Sequence, residues 1–373
     1  MPECKHAAES SRRRAPRFGR TPKEGRGRGG PASPVFHGAP KGGWVALGRG
    51  LWYRRGIPFP LSRLASMHSS TPPPSSTSAV EAPSGKSAAT ENFPVGSVLL
   101  SARVRPHVAC FYAFARAIDD IADAPGLSGP DKVARLKGFE AALTGQGPDD
   151  PAYAKALALR ASLAATTVPA RHGVDLIAAF CRDAVKNRTD SWADLMDYCA
   201  LSAAPVGRYL IDLHGGARSG TTTASDALCA ALQVINHLQD CADDYRDLDR
   251  VYLPADWMAA EGARVEDLAA PACSPALRRV IDRCLAATRE LMVTAQALPV
   301  DIKDRRLALE AGVIVEIAVA LLDRLEREDP LARRVKLSKS ALALVTLRGL
   351  GRGGKALLAG GLASWGHAKG TGR

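Results

Sequence analysis

Four polar side chains near the end of one predicted helix have a spacing that could support chemistry. Intervals of four, three and four residues separate Tyr112, Arg116, Asp119 and Asp123. An α-helix turns once in about 3.6 residues, so all four side chains project from one face. Carboxylates near the C-terminal end of a helix oppose its dipole. The stripe therefore indicates either a solvated acidic face or a cation held between carboxylates.

A second polar stripe with the same periodicity occurs farther along the chain. Its members are Gln233, Asn236, Asp240, Asp244 and Asp247. The positions between them are mostly apolar, which predicts a largely buried helix with one polar face. Each stripe thus carries a pair of carboxylates one helical turn apart.

The residue types in the two stripes favour magnesium chemistry. Mg²⁺ prefers oxygen ligands and binds through one or two carboxylates together with waters and substrate phosphates. Neither polar face includes a histidine or a cysteine, which argues against zinc. Facing carboxylates repel one another, so we expect the empty site to be strained until cations and a diphosphate enter. The pattern predicts a site that ionises a diphosphate ester, with apolar helix walls that shelter a carbocation.

The elements that must position these stripes are helices. Alanine- and leucine-rich segments with helical periodicity extend from Glu91 onward, and alternating β-branched runs are lacking. The predicted helices lie near 103–124, 131–144, 151–165, 173–188, 191–214, 224–246, 275–298, 304–328 and 338–350. The predicted fold class is therefore all-α, with one catalytic domain over 91–350 that is large enough for a sizeable core.

The basic charge of the chain is concentrated at its start. The 373 residues carry 50 basic and 38 acidic side chains, of which residues 1–90 hold 15 and 4. The high isoelectric point is thus poor support for nucleic-acid binding by the folded part, and we expect no nucleic-acid partner. Residues 1–90 are rich in Gly, Pro and Ser and are predicted to be disordered. A transit peptide, or an over-extended start with translation beginning at Met67, are the alternatives.

Cysteine usage and hydropathy indicate a cytoplasmic protein. The eight cysteines form no CxxC pair, which favours reduced thiols. No stretch approaches the about 20 apolar residues that span a bilayer. Residues 351–373 form a basic and apolar C-terminal tail, for which two interpretations stay open. It is either a frayed end or a peripheral contact with the inner membrane face that helps deliver a lipid substrate.

Several motifs together resemble the squalene/phytoene synthase family. They are Asp119-Asp-Ile-Ala-Asp123, Asp240-Cys-Ala-Asp-Asp244, the segment from Tyr198 to Gly207, and Arg250-Val-Tyr-Leu-Pro254. The resemblance implies the isoprenoid synthase helical bundle with a central cavity, and an isoprenoid diphosphate as substrate. A helical scaffold protein derived from the family is the non-enzymatic alternative, which the intact aspartate pairs disfavour.

Within the family, the closest likeness is to the hydroxysqualene synthases of the bacterial hopanoid route. It rests on Glu91-Asn-Phe-Pro-Val95, Ala204-Pro-Val-Gly207 and the segment 235–245. This likeness implies that presqualene diphosphate is ionised, that the cyclopropylcarbinyl cation rearranges, and that water captures it to give hydroxysqualene. The alternative is a head-to-head prenyl transferase that makes presqualene diphosphate, squalene or phytoene. One departure is Gln239, because many relatives carry arginine immediately before the first aspartate of the second motif.

The resemblance also implies roles for individual residues. The Mg²⁺ ligands would be Asp119, Asp123, Asp240 and Asp244, with help from Asn236. Catalytic or substrate-binding roles would fall to Tyr112, Arg116, Tyr198, Gly207, Gln233 and Tyr252. Arg116 could instead be a structural partner of Asp119 or Asp120, and the tyrosines could simply be core residues. His237 is predicted to be packed rather than catalytic. Asp120 and Asp243 are predicted either to lie outside the direct metal coordination or to face solvent.

Overall fold

The computed structural model describes the backbone of residues 44–46, 52–54, 80, 93–94, 99–217 and 220–368, and the burial of side chains at 80, 99–217 and 220–357. The predicted disorder of residues 1–90 therefore lies almost entirely outside the described residues. All described residues belong to one compact unit, residues 41–373.

Helices dominate the described region. They are α1 (Arg105–Asp123), α2 (Gly129–Thr144), α3 (Ala154–Thr166), α4 (Arg171–Asp183), α5 (Trp192–Ser202), α6 (Ala204–Leu213), α7 (Thr221–Leu248), α8 (Ala255–Glu261), α9 (Pro275–Ala295), α10 (Leu298–Asp301), α11 (Arg305–Leu325) and α12 (Lys339–Ala368). Short 3-10 turns cover Pro151–Tyr153 and Val265–Ala269. The all-α prediction is confirmed.

Three short strands precede the helices. They are β1 (Trp44–Ala46), β2 (Trp52–Arg54) and β3 (Phe93–Pro94), which pair antiparallel in the order β2-β1-β3. In this register Val45 lies opposite Tyr53 on one side and Pro94 on the other. None of these strands contributes to the site described below.

The two polar stripes lie on helices that anchor two hydrophobic clusters. On α1 the opposite face carries Phe114, Ile118 and Ile121, which are fully buried against α2, α3 and α4. On α7 the apolar face packs against α9 and α11, with Ile235 and Leu238 buried. Each helix therefore packs into the core through its apolar face. The polar face of α1 is then free to lie opposite the polar face of α7.

The prediction of one continuous helix over 191–214 is wrong. The helix is interrupted at Ala203, which separates α5 from α6. Pro205 follows in the first turn of α6, where its missing N–H costs no hydrogen bond. Gly207 lies where α6 crosses α7, and a Cβ at this position would come within 2.4 Å of the Ser225 hydroxyl. The glycine therefore permits close helix packing.

Helix α12 continues well past the predicted end at residue 350. Its packing against α11 depends on glycine, since a Cβ on Gly349 would lie 2.3 Å from the Cα of Val313. Leu344 and Leu347 are exposed on this helix, and the segment Lys339–Ala368 contains no acidic residue. Within the described residues, no helix combines the length and apolar character that crossing a membrane requires. The membrane contact stays a prediction.

Candidate active site

Residues of both polar stripes line one cavity of about 310 Å³, its open mouth included. Helix α1 contributes Asp119 and Asp123, and helix α7 contributes Gln233 and Asp244. The other lining residues come from α4, α5, α7 and the loop after α7: Phe180, Asp183, Tyr198, His237, Leu248, Arg250 and Tyr252. The two motifs, far apart in the chain, therefore meet at one site.

Arg116 neutralises the α1 end of this site. Its guanidinium donates to Asp119 at 3.0 Å and lies 2.6 Å from a carboxylate oxygen of Asp120. Burial raises the pKa of Asp119 well above its ordinary value, and the nearby Asp123 raises it further. Arg116 lowers the pKa of Asp119 and so opposes this shift. These contacts agree with the alternative that Arg116 is a structural partner of Asp119 and Asp120. Asp120 is mostly buried rather than facing solvent.

Arg250 is the second internal counterion. It is buried, and it donates to a carboxylate oxygen of Asp123 at 2.7 Å and to the carbonyl oxygen of Ala122 at 3.0 Å. A third contact reaches the carbonyl oxygen of Asp183 at 3.3 Å. Arg250 thus ties the C-terminal ends of α1 and α4 together, where the helix dipoles are negative.

Arg334 is the third counterion and comes from the segment before α12. Its guanidinium lies 2.9 Å from Oδ1 and 3.1 Å from Oδ2 of Asp240, which is buried. Asp119, Asp123 and Asp240 are therefore each paired with an arginine. These guanidinium groups supply opposing charge, although Asp123 still raises the pKa of Asp119. The strain expected between facing carboxylates stays a prediction.

Asp183, the last residue of α4, is a site residue that sequence reasoning missed. It accepts hydrogen bonds from the hydroxyls of Tyr198 at 2.6 Å and Tyr252 at 3.2 Å. Burial raises its pKa from 3.8 to about 6, against the lowering effect of Arg250 and the tyrosine hydroxyls. A carboxylate at the C-terminal end of a helix, where it opposes the helix dipole, was the available signal, as it was for Asp119 and Asp123.

The raised pKa of Asp183 predicts a pH dependence of stability. Because its folded-state pKa of about 6 exceeds the ordinary 3.8, its contribution is full below pH 4 and is lost as pH rises through 6. For this group alone, the free energy of unfolding of the metal-free protein should fall by about 2 kcal/mol between pH 4 and 7. Urea unfolding at several pH values in a chelator measures this.

The Asp183→Asn variant removes the titrating group while keeping an acceptor for one tyrosine hydroxyl, so it should flatten this pH profile. Asp190→Asn, at a mostly exposed carboxylate on the following loop, is the matched control and should leave the slope as in the wild type. An Asp183→Asn profile as steep as the wild type would contradict the assignment.

Aromatic and amide groups form the other wall of the cavity. His237 stacks on Tyr252 with ring centroids 3.7 Å apart, and Tyr198 lies 5.4 Å from Tyr252. The side-chain nitrogens Nε2 of Gln233 and His237 are 3.1 Å apart. Burial, aided by Arg250, lowers the pKa of His237 to about 3, so the imidazole is neutral. His237 is packed as predicted, and it also lines the cavity.

Some of the predicted site residues are absent from the lining of this cavity. Tyr112 and Arg116 lie on α1 one to two turns before Asp119, and Asn236 is buried on α7 one turn before Asp240. Gly207 serves the α6–α7 crossing. Asp243 is at the surface, paired with Arg246 at 2.5 Å.

The donor chemistry of the site fits a hard divalent cation. Among the described residues, no three His, Cys, Asp or Glu side chains converge closely enough to hold a metal ion by themselves. Mg²⁺ commonly takes only one or two carboxylates, with waters and phosphates as its other ligands. Asp119 and Asp123 on one wall and Asp244 on the other are therefore suitable partial ligand sets.

Comparison with known proteins agrees with this architecture. The family model for squalene/phytoene synthase matches residues 87–341. The chain belongs to the squalene/phytoene synthase family. A hydroxysqualene synthase from Rhodopseudomonas palustris is 46% identical over 263 residues, which cover 70% of this chain and 88% of the relative. One from Zymomonas mobilis is 41% identical over 272 residues, covering 72% and 90%.

A solved structure extends the likeness to the fold. The crystal structure of a squalene synthase from Alicyclobacillus acidocaldarius superposes with a TM-score of 0.54 at 32% identity, covering 62% of this chain and 86% of that one. The chain is therefore an enzyme of the squalene/phytoene synthase family with the isoprenoid synthase helical fold. Among the described residues of this family member, arginines pair with Asp119, Asp123 and Asp240.

Proposed function

We propose that the protein is a Mg²⁺-dependent hydroxysqualene synthase, which converts presqualene diphosphate and water to hydroxysqualene and diphosphate. The observation that carries the proposal is the meeting of Asp119, Asp123 and Asp244 in one cavity with aromatic and apolar walls. The likeness to relatives named hydroxysqualene synthase supports the choice of substrate and product.

The charges in the cavity suit a diphosphate bound with cations. Four carboxylates line it, those of Asp119, Asp123, Asp183 and Asp244, and Arg250 is the arginine among the described lining residues. Asp119 and Asp123 would hold Mg²⁺ on one wall, and Asp244, with Asp240 and Asn236 behind it, on the other. When bound, Mg²⁺ would stabilise the negative charge that develops on the leaving diphosphate.

The remaining walls suit the hydrocarbon cation. Cleavage of the carbon–oxygen bond leaves its electron pair on the diphosphate and a carbocation on the lipid. The faces of Phe180, Tyr198 and Tyr252 can stabilise this cation by cation–π contact. Gln233 and neutral His237 are polar groups on the same wall that can hold a water molecule by hydrogen bonds. The cyclopropylcarbinyl cation rearranges with opening of its three-membered ring before that water attacks it. Transfer of the water's proton to the released diphosphate then gives the alcohol.

Product analysis tests the proposal. Purified full-length protein is incubated with presqualene diphosphate and Mg²⁺ in ¹⁸O-labelled water, and the extract is examined by mass spectrometry. We expect a C30 alcohol that carries one ¹⁸O atom, with equimolar diphosphate. Samples without Mg²⁺ and with chelator should show no turnover.

The alternative function has a different outcome when parallel incubations contain farnesyl or geranylgeranyl diphosphate in place of presqualene diphosphate. If presqualene diphosphate stays unreacted while farnesyl or geranylgeranyl diphosphate is coupled, the protein is a head-to-head prenyl transferase. A C30 hydrocarbon without ¹⁸O would show that the cation is quenched without water. Either result would overturn the proposed reaction.

A further inference from the structure

The segment 329–338 between α11 and α12, here called the strap, lies against the α7 face that carries Asp240. The backbone N–H of Cys273 donates to the carboxylate of Asp329 at 2.8 Å at one end of the strap. Val335 is fully buried in its middle. The strap is therefore anchored by a hydrogen bond at Asp329 and by the burial of Val335. These two contacts fix the backbone at Arg334, the residue immediately before Val335.

Arg334 covers the carboxylate of Asp240. One guanidinium nitrogen, Nη2, lies within 2.9 Å of Oδ1 and 3.1 Å of Oδ2. The side chain of Asp240 is only 3% exposed, whereas that of Arg334 is 25% exposed. A positive group in front of both oxygens occupies the position from which a divalent cation would bind this carboxylate.

Gln239, the residue immediately before Asp240, connects α7 to the strap. The side-chain Nε2 of Gln239 donates to the carbonyl oxygen of Val335 at 2.6 Å, and both residues are buried. The amide thus binds the strap next to the residue that delivers a guanidinium to Asp240.

We propose that Arg334 is an internal counterion that competes with the divalent cation for Asp240, and that Gln239 is the positioning residue that holds it there through the strap. In the metal-free protein the arginine compensates the buried carboxylate. Binding of the cation at Asp240 requires the guanidinium to withdraw, because two positive charges at one carboxylate repel each other. The inference rests on the proposed use of Asp240 as a metal ligand, and it is independent of which product is formed.

Direct cation binding without substrate tests the competition. Mn²⁺ serves as the probe in place of Mg²⁺, because free and bound Mn²⁺ are distinguished by electron paramagnetic resonance. Arg334→Gln removes the competing charge, so it should bind Mn²⁺ at least about fivefold more tightly than the wild type. Arg334→Lys keeps the charge and should stay close to the wild type.

Arg333→Gln is the matched control. It removes the same charge one residue away, where the guanidinium pairs with Glu328 at 3.3 Å and is mostly exposed. Its Mn²⁺ affinity should equal that of the wild type. An Arg334→Gln affinity that is unchanged or weaker than that of Arg333→Gln would overturn the proposal, since a purely structural arginine does not compete with a cation.

Gln239→Leu tests the positioning role, because leucine fills the volume of glutamine but cannot donate to Val335. We expect tighter Mn²⁺ binding here too, and the double variant with Arg334→Gln should bind no more tightly than Arg334→Gln alone. Full additivity of the two gains would contradict an action through Arg334.

Thermal unfolding keeps the test valid if Arg334→Gln is destabilised. Loss of the arginine leaves Asp240 buried without this counterion, so Mn²⁺ should raise the melting temperature of Arg334→Gln more than that of the wild type.

Asp240→Asn in the Arg334→Gln background should abolish the extra affinity. Weaker binding by Asp240→Asn alone, with no gain in Arg334→Gln, would overturn the competition and leave the metal assignment standing. No effect of Asp240→Asn in either background would overturn both.

Discussion

Replacing Asp119 by asparagine is expected to lower kcat by about 10²- to 10³-fold while the protein stays folded. Asp119 lines the cavity on the α1 wall, where its carboxylate is the proposed ligand for the cation that stabilises the leaving diphosphate. Loss of one charge-stabilising group in an enclosed site has an effect of this size. Steady-state turnover of presqualene diphosphate at saturating Mg²⁺ measures it.

Stability should change little in the same variant. Arg116 loses its 3.0 Å contact with Asp119 but keeps Asp120 at 2.6 Å. The substitution also removes the repulsion between Asp119 and Asp123, which raises the pKa of Asp119 in the wild type. The free energy of unfolding should therefore stay within about 1 kcal/mol of the wild type, near the effect of a typical point substitution.

Asp243→Asn is the control for this experiment. Asp243 belongs to the acidic run of the second motif, but its side chain is 44% exposed and pairs with Arg246. Its turnover should match the wild type. Equal turnover in Asp119→Asn and Asp243→Asn would show that the carboxylates in the cavity have no part in the reaction, and the proposed mechanism would fail.

Replacing Arg250 by methionine should cause a large loss of stability. Arg250 contacts Asp123, the carbonyl oxygen of Ala122 and the carbonyl oxygen of Asp183. Its side chain is 8% exposed and that of Asp123 is 12% exposed, so solvent cannot replace the lost charge. Removing one partner of a buried ion pair costs about 3–5 kcal/mol. Urea unfolding at pH 7.5 measures the loss.

Two further variants distinguish the loss of a buried charge from a general disruption of packing. Arg188→Met removes a neighbouring arginine that pairs with Asp249, whose side chain is 65% exposed. Its ion pair should contribute no more than about 1 kcal/mol. Adding Asp183→Asn to Arg250→Met should restore part of the stability, because one uncompensated carboxylate is then gone. A loss for Arg250→Met no larger than for Arg188→Met would show that Arg250 does not carry the electrostatic balance of the site.

Local periodicity was enough to predict the helices that carry the two motifs. The spacing of Asp119 and Asp123, and of Asp240 and Asp244, follows the helical turn. Burial of the apolar face of α1 around Phe114 then makes the orientation of its polar face unambiguous. Such patterns lie within one segment, so no other part of the chain is needed to interpret them.

Helix boundaries that depend on packing were not predicted. The glycines at positions 349, 351, 353 and 354 have low helix propensity, yet α12 continues through them. In the folded chain Gly349 and Gly353 let α12 approach the backbone of α11, since a Cβ on Gly349 would lie 2.3 Å from the Cα of Val313 and one on Gly353 would lie 2.8 Å from the Cα of Leu309. Tertiary packing thus outweighs local propensity here.

The amino-acid sequence alone determined the all-α class, the family and the two aspartate faces, because residue types and helical spacing are properties of single segments. The tertiary structure decided which charges balance those faces. Arg250 reaches Asp123 and Arg334 reaches Asp240 from positions distant in the chain, and Asp183 joins them at the end of another helix. Electrostatic pairing depends on distance in space and on burial, neither of which the order of residues specifies.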